Sequence, residues 1–329
     1  MADTDDIDPA AICARGVLTS ADVAAIRRGY HKDGSISEAE ADALFALEQN
    51  CRAPVEWGAL FVEAIVEYLV HQAQPEGYVS ADNAVWLSER ISAGGKIQTR
   101  NEFELLVKVL EEARWAPASL SALALNQLRD AVANGEGPLR QGAKPAKGAI
   151  SAADVAALRR ILYACGGDGN IAITRAEAEA LMDIAEAADE SLCDPAWIDL
   201  YAKAIANHLM AASGFTPPPR EQALRQEAWL EAEPDLAGFL GDMVRSGLGG
   251  VFNAYRTPAP EAMQLARLEE QKRAILLGED ITAPEANWLA GRIGREGRIG
   301  EAEQALLSFI KANSPHIDPA LDALMARVA

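Results

Sequence analysis

Two stretches decide the fold of this chain: VSADNAVWLSERISAGGKI at Val79–Ile97 and ITAPEANWLAGRIGREGRI at Ile281–Ile299. They align without a gap, so Trp86 meets Trp288, Gly95 meets Gly297 and Ile97 meets Ile299. Apolar residues recur in each at helical spacing, then a glycine loop follows, then an isoleucine that opens a second helical segment. The pattern reads as helix, loop, helix.

The same order of features recurs elsewhere. ADVAAIRR at Ala21–Arg28 matches ADVAALRR at Ala153–Arg160, and EAEADAL after the first loop matches RAEAEAL after the third. Trp57 and Trp197 pair in the same way, as do Ile65 and Ile205. Four copies of one helix–loop–helix unit, two in each half, account for most of the chain. The spacing between paired tryptophans grows by roughly 60 residues between the first and second pairing, which places a helical insertion at about 216–278 in the second half. An acidic tail at 1–12, an N-terminal lobe at 13–133, a Gly- and Pro-rich linker at 134–148 with the composition of a flexible connection, and a C-terminal lobe at 149–329 complete the expected organisation. The fold class is all-α, with β-branched alternation almost absent.

Each unit starts with an apolar residue followed by Ser or Thr: Leu18-Thr19-Ser20, Val79-Ser80, Ile150-Ser151 and Ile281-Thr282. The hydroxyl can accept from a free N–H of the first helical turn, and Asp22 or Asp154 adds favourable charge at the positive end of the helix dipole. The second helix opens at Ile36-Ser37, Ile97-Gln98, Ile173-Thr174 and Ile299-Gly300. Four residues after the isoleucine stand Glu40, Glu177 and Glu303, with Asn101 in that slot of the second unit.

Helix, glycine loop, isoleucine, Ser or Thr and then Glu resembles the EF-hand family, and also the helical hairpins of TerB-type tellurite-resistance domains. The resemblance implies two lobes of paired EF-hand-like units, a loop isoleucine that pairs with its neighbour's, and calcium held by loop oxygens and a terminal Glu. Carried onto this chain, the ligand positions are Asp33, Ser37 and Glu40 in the first unit and Asp168, Asn170, Thr174 and Glu177 in the third. Glycine stands at the leading ligand position of both, the second loop holds no acid, and Arg295 and Arg298 oppose a cation in the fourth. A capping-box role for the glutamates competes directly with ligation. The expectation is therefore no cofactor beyond, at most, a weakly held Ca2+.

The chain carries 30 Lys and Arg against 49 Asp and Glu, a net charge of −19. That surface repels phosphate backbones, which argues against nucleic acid as a partner. No uncharged apolar run is long enough to span a bilayer; VEWGALFVEAIVEYLV is interrupted by Glu56, Glu63 and Glu67. The opening residues lack a signal-peptide pattern, so the expected location is cytoplasmic. Cys13, Cys51, Cys165 and Cys193 form no CxxC pair and predict reduced thiols; Cys51 and Cys193, each just before a tryptophan helix, are expected to pack and not react. The four histidines show no ligand spacing, and no Walker, GxSxG or GxGxxG pattern occurs. Four tryptophans in register with the repeat are expected core.

These observations point to a non-enzymatic interaction or scaffold protein whose lobes present grooves to another protein or helix. Inside the insertion, Phe239, Leu240, Met243, Val244, Leu248 and Phe252 form a candidate partner-binding face. The alternatives are a TerB-like metal-linked stress protein and an enzyme with its site near the insertion.

Overall fold

The computed structural model describes residues 8–33, 35–140, 146–164, 173–212, 281–295, 298–314 and 316–327. The expected insertion lies outside the described residues, and with it Phe239, Leu240, Met243, Val244, Leu248 and Phe252. The all-α class holds. Helix α1 spans Pro9–Arg15, α2 Ser20–Asp33, α3 Glu38–Asn50 and α4 Trp57–Val66, the last continuing through a π-helical turn at Glu67–His71. Helices α5 (Ala81–Ile91), α6 (Arg100–Glu112) and α7 (Ala118–Asn134) follow. Beyond a 3-10 turn at Pro138–Arg140 come α8 (Ala152–Leu162), α9 (Arg175–Ala187) and α10 (Pro195–Ala212). The last elements are α11 (Ala283–Arg292), α12 (Glu301–Asn313) and α13 (Asp322–Met325). Among the described residues, no helix is long and apolar enough to cross a membrane.

The helices start where side-chain oxygens can take the free amides of the first turn. Asp22 accepts from the N–H and hydroxyl of Thr19 at 2.8 and 2.6 Å ahead of α2. Ser80 caps α5, Ser151 with Asp154 caps α8, and Thr282 with Glu285 caps α11. Gly94 and Gly95 sit at φ 63° and 81°, a conformation that a Cβ disfavours. They let the chain turn between the paired two-residue strands Ser92–Ala93 and Lys96–Ile97. Helix α1 begins inside the stretch expected as tail because Asp8 accepts from the amides of Ala10 and Ala11.

Four isolated parallel bridges join the segment before a helix pair to the segment after it: Val17 with Arg52, Tyr78 with Trp115, Ile150 with Cys193, and Ile281 with Ile317. The amide of Leu18 donates to the carbonyl of Arg52 at 2.9 Å, and that of Val79 to Trp115 at 3.0 Å. The corresponding bond in the last case runs from Ile281 to His316 at 3.0 Å. Each bridge closes its helix pair at the open end.

In the first three units a side chain from beyond the helix pair holds the isoleucine that opens the second helix, from Gln72 just after the π-helical turn, Gln127 of α7 and Asn207 of α10. The buried amides of Ile36, Ile97 and Ile173 donate to the side-chain oxygens of Gln72, Gln127 and Asn207 at 2.9, 3.0 and 2.9 Å. A buried N–H needs a partner, and here a carboxamide supplies it. No bridge among the described residues joins one loop isoleucine to another.

Helix α4 is the centre of the N-terminal half. Trp57, Leu60, Phe61, Val62, Ala64, Ile65 and Val66 are all buried, so nearly its whole circumference meets protein. It packs against α2, α3 and α6, and α10 packs in the same way against α12. Burial contributes roughly 1.5–3 kcal/mol for each large aliphatic side chain of this kind. Trp57 and Trp197 are core as expected. Trp86 and Trp288 instead lie at the core's edge, each ring covered by a guanidinium, Arg90 at 4.4 Å and Arg175 at 4.9 Å. Their indoles have apolar neighbours on one face and a cation on the other.

The two halves share one continuous core, with α6 and α7 packed on α8 and α9. Arg160 of α8 forks across this junction onto Glu104 and Glu111 of α6 at 2.7 to 2.9 Å. The connection expected to be flexible is anchored here as well. Arg140 is buried and its guanidinium donates to Asp154 and to the carbonyl of Ala149, both at 2.9 Å.

Candidate functional site

The loop positions expected to ligate a cation fall into two groups. Asp168, Asn170 and the side chain of Asp33 lie outside the described residues. Ser37, Glu40, Thr174 and Glu177 are described, and each works as a helix cap. Glu40 accepts from the N–H and hydroxyl of Ser37 at 2.8 and 2.6 Å, while the amide of Glu40 donates back to that hydroxyl at 3.3 Å. Glu177 and Thr174 repeat the arrangement at 2.9, 2.8 and 3.3 Å. One carboxylate oxygen of each Glu is committed to this reciprocal pair. Among the described residues, no three His, Cys, Asp or Glu side chains gather as a metal set.

The second unit differs from its expected register by one residue. Its cap is Thr99, not Gln98, and Glu102 takes the glutamate's place, accepting from the amides of Thr99 and Gln98 at 3.0 and 3.3 Å. Asn101 instead donates to the buried Glu48, which also accepts from the indole N–H of Trp57 at 2.7 Å. The T-x-x-E spacing of Thr99 and Glu102 was visible in the sequence as a capping box.

In the fourth unit the cap position is Gly300. Glu303 accepts its amide at 3.0 Å, and Glu190 reaches over to accept the amide of Glu301. A Cβ on Gly300 would fall on the Glu190 carboxylate, so glycine makes room for this carboxylate at the start of α12. A small recess of about 80 Å³ opens beside it, lined by Trp197, Tyr201, Arg292, Arg295 and Glu303 among others. Arg292 there is engaged by Asp183, as Arg90 is by Asp42 in the first half.

The larger concavity is a groove of about 540 Å³ between α4 and α6. Its floor is apolar: Ala59, Val62 and Val66, with Gly58 keeping the helices close. A Cβ on Gly58 would meet the Asn101 amide oxygen at 2.5 Å. Val55 at the mouth is 97% exposed, an unusual position for a β-branched aliphatic chain. The rim carries Glu63, Glu67, Glu104 and Glu112, with His71 and Lys108 at one end.

Lys108 and His71 both hold Glu112, at 2.8 and 2.9 Å, and this pairing keeps the Glu112 carboxyl below its ordinary range, the Lys108 bond being the largest cause. Glu63 and Glu67 lie one helical turn apart on α4 and face the groove together. The side chain of Glu63 is 66% exposed, with a distant contact to Arg27 at 4.0 Å. The π-helical turn that ends α4 brings His71 to the groove's end, and such turns widen a helix locally. Sequence reasoning noted Glu63 and Glu67 as interruptions of an apolar run. Their i, i+4 spacing on one face was the available signal for a rim.

No family model, no curated protein sequence and no solved structure matches this chain.

Proposed function

We propose that the chain is an interaction protein whose α4–α6 groove receives an amphipathic helix bearing lysines or arginines. The observation that carries this reading is the exposed Val55 at the mouth of an apolar floor with Glu63 and Glu67 on its rim. A helix laid in such a groove buries its apolar stripe and meets the rim with its flanking charges. Basic flanks complement both the local carboxylates and a net charge of −19, and steer association from a distance.

The underlying scaffold reads as four copies of one helix–loop–helix unit arranged in two lobes. The four parallel bridges, the Arg90–Asp42 and Arg292–Asp183 pairings and the recurring carboxamide support of the loops favour that origin. In this reading Ser37, Glu40, Thr174 and Glu177 serve as caps, and weak Ca2+ binding in the third loop is a separate question that calorimetry with calcium answers.

The groove is tested with two synthetic amphipathic helices of equal length and equal leucine pattern, one carrying lysines and one carrying glutamates, followed by fluorescence anisotropy. The basic helix binds the wild-type chain and the acidic helix does not. Glu63→Lys/Glu67→Lys weakens binding at least tenfold, whereas Glu89→Lys/Glu136→Lys, on exposed residues outside the groove, changes it far less. Equal losses from the two charge-reversal pairs would show that only net charge matters, and the groove reading would fall.

A further inference from the structure

Far apart in the sequence and outside any CxxC pair, Cys13 and Cys51 are brought together by the fold. Cys13 lies on α1 and Cys51 caps the C-terminal end of α3. The Cys13 thiol is 3.6 Å from the carbonyl of Ala46 on α3, and the Cys51 thiol is 3.7 Å from the carbonyl of Ile12 on α1. Each sulfur thus points at the backbone of the other's helix. The bridge between Val17 and Arg52 pins the two segments directly beside the pair, with the Arg52 amide donating to Gly16 at 2.9 Å. Both thiols are partly exposed, so a small oxidant reaches them.

We propose that Cys13 and Cys51 form a reversible dithiol–disulfide pair that ties α1 to the end of α3 when the protein meets a hydroperoxide. The thiolate of one cysteine attacks a peroxide oxygen of hydrogen peroxide, giving a sulfenic acid and releasing water after proton uptake. The second thiol attacks that sulfur and expels another water. Two thiols and one peroxide become one disulfide and two waters, so the two electrons lost by sulfur reduce the peroxide. Burial, and Cys13 beside it, push the Cys51 thiol up. Arg15, also close to Cys51, opposes that rise as a smaller influence.

The test uses the full chain, exposed to hydrogen peroxide under native conditions, alkylated with iodoacetamide and digested with trypsin. Cleavage after Arg15, Lys32 and Arg52 isolates Met1–Arg15 and Asp33–Arg52, each with a single cysteine. The expected product is a dithiothreitol-reducible cross-link of these two peptides. Cys13→Ser and Cys51→Ser abolish it, and Cys193→Ser leaves it intact. The same oxidation in 6 M guanidinium loses the preference for this pair, which separates an effect of the fold from intrinsic reactivity even if a serine variant misfolds. Oxidation that stops at sulfinic acid, cross-links that favour Cys193 or Cys165, or no loss of free thiol each overturn the proposal.

Discussion

Replacing Arg140 by Met isolates what the buried ion pair between the two halves contributes. The side chains of Arg140 and Asp154 are 3% and 1% exposed, and they meet at 2.9 Å. Methionine keeps much of the apolar stem and removes the guanidinium. Among the described residues, Asp154 then keeps the amide and hydroxyl of Ser151, at 2.8 and 2.6 Å, as its donors. Breaking one side of a buried pair costs about 3–5 kcal/mol because a charge remains without its counter-charge. For a chain of this size, 1 kcal/mol corresponds to about 2–4 °C of melting temperature, so the expected fall is roughly 10 °C.

The pair is not an optimal arrangement, since Nε and Nη1 of Arg140 and Oδ1 of Asp154 have no hydrogen-bond partner among the described residues. Arg140→Met/Asp154→Asn therefore recovers most of the loss: asparagine removes the stranded charge but still offers an oxygen to the Ser151 amide. Urea unfolding followed by circular dichroism measures all three proteins. A single-variant loss below about 1 kcal/mol, or a double variant as unstable as Arg140→Met, would refute the reasoning.

Acid stability follows from carboxyls whose values are lowered in the fold: Asp22 by the Thr19 hydroxyl, Glu112 by Lys108 and Glu179 by Arg175. A lowered folded value stabilises above the unfolded one, so melting temperature holds above about pH 5 and falls as pH drops through this range, with a smaller fall in Glu112→Gln. Burial raises the Tyr201 phenol, so its contribution is complete below pH 10 and is lost above it as the unfolded phenol ionises; Tyr201→Phe removes that part of the alkaline loss in thermal melts. Gly300→Ser places a Cβ on the flexible end of Glu190 and displaces it from the amide of Glu301, so Glu190→Ala lowers stability in the wild-type chain and changes it far less in Gly300→Ser; additive effects in calorimetry would contradict this.

Local chemistry was legible. The pairs Thr19 with Asp22, Ser151 with Asp154, Ser37 with Glu40 and Thr174 with Glu177 each span three residues, so their hydrogen bonds need only the first turn of the helix they start. The shift from Asn101 to Glu102 shows the limit of alignment by spacing: one extra residue after Ile97 moves the cap to Thr99. The linker's Gly and Pro content suggested freedom, but composition is blind to Arg140 finding a buried carboxylate in the next helix. Likewise the apolar run around Trp57 was legible as too interrupted by charge to span a bilayer, while the edge carrying Glu63 and Glu67 became a groove rim only once α6 lay beside α4.

The sequence by itself determined an all-α chain, where most helices begin, and that Trp57, Trp197 and the loop isoleucines Ile36, Ile97 and Ile173 seek the core, because capping and amphipathic burial act over one or two helical turns. The tertiary structure alone decided that Gln72, Gln127 and Asn207 hold the loop amides, that Glu63 and Glu67 rim an apolar groove, and that Cys13 faces Cys51. Those contacts join residues distant in the chain, and their geometry comes from how the helices pack.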